Sequence, residues 1–114
     1  MKFKINGIKF EIVEMEQLDY KKFRVKDDEQ EGLEISEVNK GVYFGATHHK
    51  SCKIYLDKNM PKDRKRKVLL HELTHCYIYE FIGHELQNFT EEDVADIVAN
   101  SHDIIHKIVE DYFK

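Results

Sequence analysis

The stretch from Pro61 to Ile82 most constrains what this chain can become. Val68-Leu69-Leu70 and Cys76-Tyr77-Ile78-Tyr79 bracket His71-Glu72-Leu73-Thr74-His75 in one long, mostly apolar run. Proline suits a first helical turn and glycine a helix end, so Pro61 and Gly83 mark the bounds of a helix over about 61–82. On such a helix His71 and His75 lie about 40° apart around the axis and about 6 Å apart along it. Two imidazoles and a carboxylate on the most buried-looking helix would be costly to desolvate without partners.

Two neutral imidazoles on adjacent turns can reach one divalent cation, and Glu72, about 100° round from His71, can address a water on that ion without ligating it. The chain holds 7 His, so a bare H-E-x-x-H has limited weight and the helical context carries the rest. The expected ion is Zn²⁺, with His71 and His75 as ligands and Glu72 as general base. A catalytic zinc usually takes three protein ligands and keeps one position for water. The helical continuation H-E-x-x-H-x-x-G-x-x-H is excluded, because Ile78 and Phe81 stand where it needs Gly and His. The third ligand must therefore come from later in the chain, and the candidates by position are Glu91, Glu92, Asp93 and Asp96. Acidic residues also favour a first helical turn through the helix dipole, so pattern alone does not choose among the four.

Around this helix, Lys2–Ile5 and Ile8–Val13 flank Asn6-Gly7 and predict a hairpin. Residues 14–30 are polar and irregular, with a weak helical leaning over Glu16–Phe23, and the acidic stretch 27–32 reads as a solvated loop. Leu33–Val38, Val42–Ala46 and Cys52–Leu56 read as three strands, the last two joined by a polar turn near His48-His49-Lys50-Ser51. A second helix begins at Thr90, where Thr90 and Asp93 can form a capping box, and continues to Tyr112. The expected architecture is one α+β domain over 1–114: a small, mostly antiparallel sheet packed on two long helices, the first bearing H-E-x-x-H.

With 114 residues there is room for one modest core. A net charge of −4 gives no overall pull towards nucleic acid or an anionic membrane. Cys52 and Cys76 are too few for a disulfide framework, and Cys76 lies inside the motif helix, so a reducing compartment is expected. No apolar stretch reaches membrane-spanning length, and Met1 to Asn6 lacks a signal-peptide core, so the expected location is cytoplasmic.

Val68-Leu69-Leu70-His71-Glu72-Leu73-Thr74-His75, followed by Glu92-Asp93-Val94-Ala95-Asp96-Ile97-Val98-Ala99, resembles the small ImmA/IrrE-type zinc metallopeptidases over roughly residues 41–100. These are compact zincins associated with phages and mobile elements. The resemblance implies a zincin-like fold and makes Glu92 the third zinc ligand. Ala95 and Val98-Ala99 match the family pattern, whereas Asp96 stands where Asn is usual. Asp96 could then be a ligand itself or orient an imidazole, and the gap from His75 to Glu92 is short for the family. The implied activity is a zinc endopeptidase acting on a regulatory protein, such as a phage or mobile-element repressor. The alternatives are a non-catalytic zinc-binding module that works by protein–protein interaction, and a phage accessory protein.

Other residues have milder expectations. His102 and His106 repeat the i, i+4 spacing but lie about 15 and 21 Å along the helix from Glu92, and read as exposed. Tyr77 and Tyr79 read as core packing, with oxyanion stabilisation the sharper alternative. His48, His49 and His84 read as surface residues. The five cations within Lys62–Lys67 read as a solvated face, with docking of an acidic partner the alternative. A peptide substrate is expected to add as a strand to an exposed edge, Val42–Ala46.

Overall fold

The structure, a computed structural model, describes residues 1–16, 18–19, 33–39, 42–83 and 88–114. It is an α+β fold of a mixed sheet and two helices. The strands are β1 (Lys2–Ile5), β2 (Ile8–Met15), β3 (Leu18–Asp19), β4 (Leu33–Asn39), β5 (Val42–His48) and β6 (Lys53–Asp57). Helix α1 (Lys62–Tyr77) runs into a π-helical turn (Ile78–Ile82), and α2 (Glu91–Tyr112) follows.

The Asn6-Gly7 hairpin forms as read. Asn6 and Gly7 have φ of 53° and 76°, the positive values that a type I′ turn needs to match the twist of its strands. Strand order is β1-β2-β6-β5-β3, and β4 also pairs with β5. All pairings are antiparallel except β2 with β6. β3 replaces the helical leaning at residues 18–19, where pairing with β5 supplies partners that local propensity could not foretell. Residues 17 and 20–23 of that leaning, the acidic stretch 27–32 and His84 lie outside the described residues.

One correction bears on function. Gly45 to His48 pair with β6 on one side and with Leu33 to Ser36 of β4 on the other, while Val42 and Tyr43 lie between β3 and β4. β5 is therefore interior, not the open edge expected for strand addition, because its backbone donors and acceptors are already used in pairing.

Phe3, Ile5, Phe10, Ile12, Ile54 and Leu56 alternate along β1, β2 and β6 and meet Val68, Leu69, Leu73 and Cys76 of α1 in the core. From α2, Ile97, Ile105, Ile108 and Val109 complete it. Among the described residues no helix is long and apolar enough to cross a membrane. Both cysteines are free thiols, Cys76 fully buried.

The capping box of α2 is present: Asp93 N–H donates to Thr90 Oγ1 at 3.1 Å, and Thr90 N–H donates to Asp93 Oδ2 at 2.9 Å. At the other end of the helices the Lys62–Lys67 cations are partly engaged with the chain itself. Lys65 Nζ lies 2.5 Å from Glu14, Arg66 lies 2.6 Å from Glu110, and Lys62 and Arg66 both lie near the Phe113 ring. The Lys65 hydrogen bond holds the Glu14 carboxyl below its ordinary value.

Two stability measurements test these contacts. Thr90→Ala should cost about 1 kcal/mol, the usual worth of an N-cap hydroxyl, as a lower urea midpoint at unchanged slope. Because Glu14 titrates lower in the folded chain, its contribution is present above the ordinary carboxylate range and is lost as pH falls through the folded value. Lys65→Met should flatten that acid loss; an unchanged acid limb would show that the pair contributes nothing.

Candidate metal centre

The motif residues divide between two faces of α1. A helix lying on a sheet buries one stripe, here Val68, Leu69, Glu72, Leu73, Cys76 and Tyr77. His71 is exposed and His75 half-buried at the border of that stripe, while Glu72 is fully buried within it. The two Nε2 atoms lie 3.1 Å apart, with the rings edge to face at 4.8 Å between centroids. Two nitrogens bonded to one tetrahedral zinc at 2.0–2.1 Å would lie about 3.3 Å apart. The imidazole pair thus has the spacing of two donors on one ion.

Glu72 is held from the sheet. Thr47, itself fully buried, donates its hydroxyl to Glu72 Oε1 at 2.6 Å, the short geometry of an O–H bond to a charged acceptor. Two residues earlier on the same face of β5, Gly45 gives the carboxylate room. A Cβ there would stand 2.5 Å from Val68 Cγ1 and 3.2 Å from Glu72 Oε2.

The expected third ligand does not join this group. Among the described residues no three His, Cys, Asp or Glu side chains converge as a metal-holding set. Glu92 is exposed on the first turn of α2, five residues and hence about 140° round from buried Ile97. Glu91 and Asp96 are also exposed, and Asp93 is engaged in the cap. Among the described residues, the two imidazoles are the part of the expected donor set that the fold brings together at a spacing that fits zinc.

His48 and His49 depart from their surface reading: they are only 5% and 4% exposed. The strand runs two residues past Ala46, which draws both into the fold. His48 Nδ1 bonds Ser51 Oγ, and the His49 ring stacks on Tyr79 with centroids 4.1 Å apart and planes 5° apart. Tyr79 is thus a packing partner, and Tyr77, buried, packs against Phe81. His102 and His106 are exposed, as expected, with their rings stacked 5.5 Å apart.

Sequence reading missed Gly45 and Thr47. The available signal was alternation: Thr47 is a β-branched strand former continuing the period of β5, which places Gly45, Thr47 and His49 on one face. No family model, no curated protein and no solved structure matches the chain.

The Glu72 seat can be tested by stability. Thr47→Val keeps shape but removes the donor to a buried carboxylate and should cost about 1–3 kcal/mol, with Thr47→Ser recovering most of it. Gly45→Ala should cost about 1–3 kcal/mol through overpacking against Val68 and Glu72. A neutral Thr47→Val in urea unfolding would mean the hydrogen bond does not secure Glu72.

Proposed function

We propose that this chain is a zinc-dependent endopeptidase of the ImmA/IrrE kind, with a zincin-like fold, that hydrolyses peptide bonds of a regulatory protein. The observation that carries the reading is the His71–His75 pair, whose Nε2 atoms stand 3.1 Å apart at the border of the helix face that buries Glu72. His71 and His75 would hold the ion, and Glu92 is the carboxylate that the family resemblance adds to them. A bound zinc would supply Lewis acidity, bringing the pKa of a water down to about 7.

Everything else falls to the chain's own groups. Glu72 acts as general base: its carboxylate accepts the proton of the attacking water and hands it to the departing amine. Thr47 fixes one oxygen of that carboxylate at 2.6 Å, limiting the rotamers open to it and so orienting the other. Burial of Glu72 away from bulk water strengthens its interactions with nearby charge. Because both sides of β5 are paired, an extended substrate must be recognised by surfaces other than that strand.

One observation favours a second reading. Glu92, the carboxylate that the resemblance supplies, is exposed on α2, and the fold would then serve as a zinc-binding docking module without catalysis.

Cleavage, read beside the zinc content of protein purified without a histidine tag, separates the two. The peptidase reading expects about one zinc per chain, as in other three-ligand catalytic sites. Glu72→Gln should keep zinc and fold while cleavage of the cellular target falls by about 10²–10⁴, the usual worth of a general base. Comparing the proteomes of cells expressing the parent and this variant would identify the target. Undiminished cleavage by Glu72→Gln would remove it as the base. Loss of zinc in Glu92→Ala, with retention in Glu91→Ala and Asp96→Ala, is expected; the reverse pattern would move the third ligand.

A further inference from the structure

A second feature of α1 lies away from the imidazoles. Between the π-helical turn and the first half of α2 is a cleft of about 370 Å³, within the size range of ligand-binding pockets. Its lining includes buried Tyr77 and Ile97, exposed Phe81 and Phe89, and the acidic residues Asp93 and Asp96. Phe81 and Phe89 are 46% and 40% exposed, so two large apolar rings meet water on one concave surface. An exposed apolar patch of this kind marks binding more often than a scattered apolar residue does.

The charges narrow the occupant. Asp93 is held in the helix cap by the Thr90 N–H at 2.9 Å, and Asp96 stands exposed nearly one turn on. Among the described residues no lysine or arginine lines the cleft, and the chain as a whole carries −4. An anionic group would be repelled, and a purely apolar one would cover the exposed Asp96 carboxylate without pairing it. A side chain with an apolar stem and a cationic head meets both requirements. Arginine suits the site better than lysine, because its planar guanidinium stacks on aromatic faces and pairs with carboxylates through several N–H donors.

We propose that this cleft is a docking site for an arginine side chain of a protein or peptide partner. Tyr77 lies two residues beyond His75 and so about 200° round the helix from it. The cleft is thus a recognition site on another side of α1, distinct from the place where Glu72 would work. The proposal does not depend on zinc or on catalysis.

Capped tripeptides, acetyl-Gly-Xaa-Gly-amide with Xaa as Arg, Lys, norleucine or Glu, can be titrated into isotope-labelled protein in EDTA. The Arg peptide should shift the Ile97 and Asn100 amide resonances and the Phe81 ring signals, and added salt should weaken the effect. Norleucine should bind at least about fivefold more weakly, and Glu should give no shift, if the cation supplies part of the affinity. Asp96→Lys and Phe81→Ala should each weaken the Arg peptide by about fivefold while leaving amide dispersion intact. Equal binding of norleucine and Arg, shifts that map elsewhere, or full Arg binding to Asp96→Lys would overturn the proposal. Because the titration needs no metal, its failure would leave the peptidase reading standing, and loss of that reading would leave this one.

Discussion

The hydrogen bond from Thr47 to Glu72 ties the motif helix to the sheet, and the usable geometry of the motif depends on it. Glu72 is fully buried, and a carboxylate taken from water is unfavourable unless it is partnered. Thr47 supplies a 2.6 Å donor and Gly45 leaves room for the side chain. Together they favour one rotation of α1 about its axis. Turning the helix would drag the carboxylate off its donor and press Val68 towards β5. With that rotation fixed, His71 is brought to the surface and His75 to its border, and their ring nitrogens converge. A core of leucines could hold the same helix as firmly. Packing alone does not call for an acid in this place, since apolar replacements of buried ion pairs are often neutral or stabilising.

What the sequence revealed were features whose causes are local. Asn6-Gly7 requires positive φ at two successive residues, and both are found. Thr90 and Asp93 satisfy each other's backbone, and Gly83, at φ 95°, ends the first helical segment. The spacing of His71 and His75 is a property of any α-helix. What stayed hidden was set by distant partners. β5 became an interior strand only because β4, β6 and β3 all found it, and this also drew His48 and His49 inside. The azimuth of α2 was similarly obscured. Val94, Ile97 and Val98 suggest one apolar face, yet Ile97 is buried while Val94 and Val98 are 50% and 60% exposed. The buried stripe instead runs through Ile97, Ser101, Ile105 and Ile108, and that choice carries Glu92 round towards solvent. The family pattern could name Glu92 but could not say which way the helix would face.

The π-helical turn shows how two of the local signals also serve the tertiary structure. Gly83 N–H donates to Ile78 O at 2.8 Å across five residues, widening the last turn where Phe81 and Ile82 border the cleft. Such turns are uncommon and occur often at functional sites. Helix ends also leave carbonyls without intrahelical donors. Here the Asn6 side-chain amide donates to Glu80 O at 3.1 Å, reaching across 74 residues of sequence. Asparagine at position 6 thus meets two requirements: a backbone that tolerates positive φ, and an amide long enough to reach the motif helix's extension. Alanine or aspartate could not meet both, since one lacks a donor and the other would present a carboxylate to a carbonyl oxygen. The first hairpin thereby ties the chain's beginning to the π-helical turn that ends the motif helix.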